Sequence, residues 1–122
     1  MVDWLVRKSL KVNKFMSTSP SPRLAHLVFF TLKDREPAAR DAFAALCHEH
    51  LSGHAGTVHY SAGARGESYA RPVNDQDFDV ALVLVFETEA DHEAYLVSPR
   101  HKQFLASAAP QWEKVRVFDA LV

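Results

Sequence analysis

Four of the seven histidines and the only cysteine fall between Cys47 and His59, in the run CHEHLSGHAGTVH, and imidazole and thiolate are the side chains that hold zinc and related ions. A metal centre needs three or four converging ligands, each oriented by a further group. His50 and His54 are four apart, a spacing that shares one helix face, but Gly53 stands between them and predicts that the helix ends first. His48 and His50 are two apart and cannot share a face. The HExxH pattern fails as well, because Ser52 stands where its second histidine would be. His59 falls on a strand, pointing opposite to Val58 and Tyr60. The run therefore reads as a solvated helix end with one buried thiol, and no metal site or cofactor is assigned from the sequence.

The segments around this run follow from hydrophobic period. Leu24–Leu32 (LAHLVFFTL) is an apolar, aromatic-rich strand bounded by Ser/Pro before it and by Lys33-Asp34-Arg35 after. Glu36-Pro37 opens a helix, since a first-turn proline lacks only a donor the helix would not use. Phe43, Leu46, Cys47, His50 and Leu51 form its apolar side, with Arg40, Asp41, Ala44 and Glu49 away from it. Thr57–Ala62 is a second strand, and Gly63–Gln76 (GARGESYARPVNDQ) a loop without periodicity. Phe78–Phe86 (FDVALVLVF) is the strongest strand. Thr88-Glu89-Ala90-Asp91 resembles a capping box, opening a helix to about Val97. Ser98-Pro99 breaks that helix, a further helical piece runs from Arg100 to about Ala108, and Val115–Leu121 closes the chain as a strand.

The order is β-α-β-β-α-β, the pattern of a ferredoxin-like α+β protomer. Two helical regions can cover only one face of a four-stranded antiparallel sheet, yet both faces of the strong strands are apolar. Leu24, His26, Val28 and Phe30 alternate with Ala25, Leu27 and Phe29, and Val80, Leu82, Leu84 and Phe86 alternate with Ala81, Val83 and Val85. Each large apolar side chain left in water forgoes about 1.5 kcal/mol or more of burial. A second copy of the sheet is the expected cover, giving a homodimer packed sheet on sheet. The bulkier set, with Phe30 and Phe86, is assigned to the helices and the smaller set to the dimer.

Composition narrows the partners. With 122 residues the chain holds one domain with a real core, and a net charge of −1 gives no field for nucleic acid. No apolar run reaches the roughly 20 residues of a membrane helix. A single cysteine forms no internal disulfide, as is usual in the reducing cytoplasm, which is the expected location. Residues 1–23 form a separate N-terminal piece. Arg7, Lys8, Lys11 and Lys14 stand against Asp3 alone, followed by a Ser/Pro linker, and charge and apolar residues are mixed in a way unlike a secretory signal. This arm is either a short basic amphipathic helix that touches a partner or an extension upstream of a start at Met16; we adopt the second reading.

The stretches LAHLVFFT (24–31), FDVALVLVF (78–86), YLVSPRHKQF (95–104) and WEKVRVFD (112–119) together resemble the stress-responsive A/B barrel domain family over residues 24–122. The Tyr…Pro-x-His run is the most specific of them. The resemblance implies a ferredoxin-like protomer and a dimeric α/β barrel. One plant member of that family closes a polyketide ring by aldol chemistry without metal or cofactor. Its catalytic tyrosine and histidine match Tyr95 and His101, and its first-strand histidine matches His26. The resemblance thus implies His101 as general base on a carbon acid and Tyr95 as hydrogen-bond donor to the developing oxyanion. Val80 stands where that member has a further histidine, and Cys47 where it has a helix tyrosine, so a more apolar pocket is implied here. His26, Val80, Cys47, Phe30 and Leu82 are the expected pocket residues.

The expected function is that of a domain of unassigned reaction, binding a small apolar molecule between sheet and helices. Two alternatives stay open: a cofactor-free cyclase or other proton-transfer enzyme using the His/Tyr pair, and, by fold analogy only, a haem-degrading or quinol-forming monooxygenase.

Overall fold

A computed structural model describes residues 21–122. Both readings of the N-terminal arm fall mainly on residues 1–20, which lie outside the described residues. In chain order the elements are β1 (Leu24–Leu32), α1 (Pro37–Leu51), β2 (Thr57–Ala64), β3 (Val80–Phe86), α2 (Glu89–Leu96), α3 (Pro99–Ala108), a short 3-10 turn (Ala109–Gln111) and β4 (Trp112–Leu121). The four strands form one antiparallel sheet in the order β2-β3-β1-β4. This is the ferredoxin-like α+β arrangement, with its second helical region cut in two. Among the described residues no helix is long and apolar enough to cross a membrane.

Local chemistry sets the element ends. Pro37 occupies the first turn of α1 after an extended Glu36, and past the helix end Gly53 adopts φ +75°, a left-handed conformation that glycine takes without Cβ strain. Thr88 caps α2: its hydroxyl oxygen accepts from the Asp91 backbone N–H at 3.1 Å and its hydroxyl donates to the Asp91 carboxylate at 2.9 Å. The aspartate is one methylene shorter than the usual glutamate, and it answers the cap side chain rather than the cap backbone. Ser98 serves both sides of the helix break, donating from its hydroxyl to the Tyr95 carbonyl at 2.9 Å while accepting from the His101 backbone N–H at 3.2 Å.

The alternation read along β1 and β3 holds. Leu24, His26, Val28 and Phe30 are buried beneath the helices, as are Val80, Leu82, Leu84 and Phe86, whereas Ala25, Leu27, Phe29, Ala81, Val83 and Val85 are half-buried on the opposite face. Phe30 centres the core, packed on Phe43 with ring centroids 4.8 Å apart and on Trp112 at 5.4 Å.

Other boundaries and facings differ from expectation. β2 runs two residues further, to Ala64, because its ladder with β3 continues to the Ala64–Val80 pair. β4 begins at Trp112 rather than Val115, since Leu32 pairs with Trp112 past a register shift in β1. β3 begins at Val80 rather than Phe78. Asp79 before it is fully buried, where its carboxylate accepts from the Leu32 backbone N–H at 2.8 Å and from Arg35 and Arg40 at 2.9 and 3.0 Å. That anion explains the main facing error on α1. Arg40 was expected away from the apolar side but is buried against Asp79 and Glu67, and Ala44, one turn on, is buried with it.

Candidate functional site

Between the helix-facing side of the sheet and α2 and α3 lies a cavity of about 300 Å³ whose lining includes the exposed Val115 and Val117 of the edge strand β4. Its walls are mostly apolar. Phe30 and Leu82 form its floor together with Val28, and Leu96, Phe104 and Leu105 contribute from the helices. Its polar residues are His26 from β1, His92 and Tyr95 from α2, His101 from α3 and Asp119 from β4.

The helix break creates this convergence. On one straight helix, residues six apart point about 120° away from each other. Because α2 ends at Leu96 and α3 starts at Pro99 behind its Ser98 cap, the Tyr95 and His101 rings instead meet edge to face, with centroids 4.8 Å apart. Tyr95 is 2% exposed, and burial, followed by the nearby Cys47 and Tyr60, pushes its phenol well above the usual range. At neutral pH it is a hydrogen-bond donor. His101 carries a buried Nδ1 without a hydrogen-bond partner. Burial lowers its pKa first, and the neighbouring His26, His54 and His92 imidazoles lower it further, so the ring is held neutral with proton-accepting capacity. His26 places Nδ1 2.6 Å from Asp119 Oδ1 and 3.2 Å from His92 Nε2. His92 is also held below the ordinary imidazole pKa, chiefly by burial.

Of the residues expected here, His26, Phe30, Leu82, Tyr95 and His101 line the cavity. Val80 and Cys47 do not. Both are fully buried in the core: Val80 starts its strand beside Asp79, far along the sheet from the histidines, and Cys47 points from α1 into the packed interior. Burial pushes the Cys47 thiol up to about 12. The Cys47–His59 run does not gather three ligand atoms among the described residues. It does more than form a solvated end, however, because the half-buried His54 ring lies edge to face on Tyr95 at 4.9 Å and donates from Nε2 to the His50 carbonyl at 2.8 Å.

Two polar members went unread in the sequence, His92 and Asp119. His92 lies three residues before Tyr95, a spacing that shares a helix face, so the signal was present. Asp119 carries a weaker one: it shares strand parity with Val115 and Val117, but only the register that sets it opposite His26 makes it a partner.

Comparison with known proteins identifies the family and the fold. Residues 24–122 match the profile of the stress responsive A/B barrel domain family. Among solved structures, a Dabb-family protein of ferredoxin-like fold from Mesorhizobium loti is 22% identical, with a TM-score of 0.68 over 83% of this chain and 97% of that one. A dimeric ferredoxin-like protein of unknown function from Thermobifida fusca is 18% identical, with a TM-score of 0.68 over 84% and 92%. Hydroxynitrile lyase from Passiflora edulis is 21% identical, with a TM-score of 0.67 over 84% and 95%. At these identities the likeness is one of fold. No curated protein matches the chain significantly. With 99 consecutive residues spanning β1 to the C-terminus matched, the chain belongs to the stress-responsive A/B barrel domain family.

Proposed function

We propose that the domain binds a small, largely apolar molecule carrying one polar edge in the cavity beneath α2 and α3. The observation that carries this reading is the pairing of an apolar chamber of about 300 Å³ with a cluster of polar side chains, His26, His92, Tyr95, His101 and Asp119, among its lining. That size is at the lower end for small-molecule sites, and the polar side chains on one side of the lining give a single polar edge of the ligand its hydrogen-bond partners. A Leu105→Trp variant tests it: Leu105 lines the cavity and is 40% exposed, so an indole there closes the mouth without entering the core. Aromatic β-polyketones and alkylphenols are the probes. Raised thermal stability of the wild-type chain and none of the variant supports the reading; equal response of both refutes it.

Proton transfer on a carbon acid is the second reading, favoured by the edge contact of Tyr95 with His101. His101, kept neutral by its lowered pKa, would take the proton from an activated C–H, and Tyr95 would donate to the enolate oxygen that forms. His101→Ala is expected to abolish aldol closure of a β-polyketone and Tyr95→Phe to slow it about 10²-fold or more. Turnover retained by His101→Ala would remove the base. The monooxygenase alternative is supported by fold analogy alone.

The protomer is completed by a second copy through the outer sheet face. Leu27, Phe29, Val83 and Val85 stay half-buried there, and Phe118, packed edge to face on Phe29 at 5.9 Å, is 51% exposed. The Thermobifida fusca relative is a dimer of the same fold. Sedimentation at micromolar concentration is expected to give twice the chain mass, and Phe118→Glu to shift it toward one; a wild-type chain that stays single overturns this interface.

A further inference from the structure

His26, His92 and Asp119 come from three separate elements, β1, α2 and β4, and bring one ligand atom each within 4.8 Å of one another on the cavity wall. Their separations are 2.6 Å for His26 Nδ1 to Asp119 Oδ1, 3.2 Å for His26 Nδ1 to His92 Nε2, and 4.0 Å for His92 Nε2 to Asp119 Oδ1. Ordinary hydrogen bonding satisfies the His26–Asp119 contact but not all three groups at once. A neutral imidazole nitrogen either donates or accepts. If His26 Nδ1 bears the proton, that proton goes to Asp119, and His92 Nε2 is left facing an N–H already in use. If His26 Nδ1 is bare, its lone pair meets a carboxylate oxygen across the shortest of the three distances. Either way one proton stands among three groups with lone pairs, two of them on residues no more than 9% exposed.

A cation satisfies all three at once. Ligand atoms about 2.0–2.1 Å from a tetrahedral ion lie about 3.4 Å from one another, and the three observed separations straddle that value. A swing of the Asp119 carboxylate, whose side chain is 42% exposed at the edge strand, away from His26 and toward His92 would even them out. Two imidazoles and one carboxylate are a borderline donor set suited to zinc and neighbouring transition ions rather than to calcium or magnesium. We propose that His26, His92 and Asp119 form a binding site for a divalent transition-metal ion, zinc being the best fit, with its remaining coordination position directed into the cavity. The site is three-coordinate from protein, the form that leaves room for water or a ligand oxygen. It does not depend on which organic molecule the cavity holds, nor on His101 acting as a base.

The test uses the full chain, stripped with a chelator and titrated with cobalt(II), whose visible absorption reports its coordination, and with zinc by calorimetry. One ion per chain is expected, with cobalt bands of four-coordinate intensity. His92→Phe and Asp119→Asn are each expected to weaken binding about tenfold or more, whereas His48→Ala and His59→Ala, which remove exposed histidines from the eye-catching run, leave it unchanged. Because Asp119 is at the exposed edge, Asp119→Asn keeps the fold and the test decisive. Absence of saturable binding up to millimolar cobalt, or loss of binding in the His48 or His59 variant with retention in Asp119→Asn, overturns the site.

Discussion

Asp79→Ala probes the join between sheet and first helix. The wild-type carboxylate is fully buried and accepts from the Leu32 backbone N–H, from Arg35 and from Arg40. Alanine removes all of these acceptors. Arg35, with its side chain 44% exposed, can turn to water, but Arg40 has a side chain only 10% exposed and keeps just Glu67, which lies at the surface. Breaking a buried ion pair from one side costs about 3–5 kcal/mol, and the orphaned Leu32 N–H lies within the same loss. Against a typical total of about 5–15 kcal/mol the variant is expected to be marginal. At roughly 4–8 °C per kcal/mol for a domain of this size, its melting temperature should fall by at least about 12 °C. Urea unfolding followed by circular dichroism at constant protein concentration measures it, and Arg40→Met in the Asp79→Ala background should recover part of the loss by removing the uncompensated cation. A loss below about 1 kcal/mol in Asp79→Ala, the scale of an exposed ion pair, would refute the view that this anion anchors β3 and α1.

Three further outcomes are expected. Gly56→Ala should destabilise strongly, because Gly56 holds φ +81° and an added Cβ would stand 2.2 Å from Asp91 Cγ, pushing on the α2 cap; a wild-type melting temperature would contradict the geometry. Cys47 should resist alkylation at pH 8 in the native chain and react promptly in urea, since its thiol is fully buried with a pKa raised to about 12; rapid native labelling read by mass spectrometry would contradict that burial. For His101, the folded state lowers the pKa below the ordinary 6.5, so on acidification the unfolded chain takes up this proton first. Stability should therefore fall as pH drops below about 6.5 and continue to fall until the folded pKa is passed. His101→Gln should lessen the slope of the urea midpoint between pH 7 and 5, and an unchanged slope would show that His101 is not held neutral.

Strand parity was legible because it is local. In β1 and β3 the side-chain period is two, so once these segments are extended, His26 and Phe30 must share a face and Leu27 and Phe29 the other. The Ser98-Pro99 break was equally readable, since a proline cannot continue the preceding helix and the serine suits a cap. Those facts set His26 and Phe30 on one face of the sheet and put a helix break between Tyr95 and His101. The buried arginine was not legible in this way. Arg40 looks like a solvent residue by its helix position, and only the return of the chain through Asp79, far along the sequence, makes burial favourable.

The amino-acid sequence alone determined the elements, the two apolar faces of the sheet and the presence of a His/Tyr pair around a helix break, because each depends on neighbours within a turn or a strand. Tertiary structure decided that Cys47 and Val80 belong to the core rather than to the cavity, that His54 leans on Tyr95, and that His26, His92 and Asp119 converge. Those meetings depend on antiparallel register and on how α2 lies over the sheet, quantities set by the packing of the whole core and carried by no single segment.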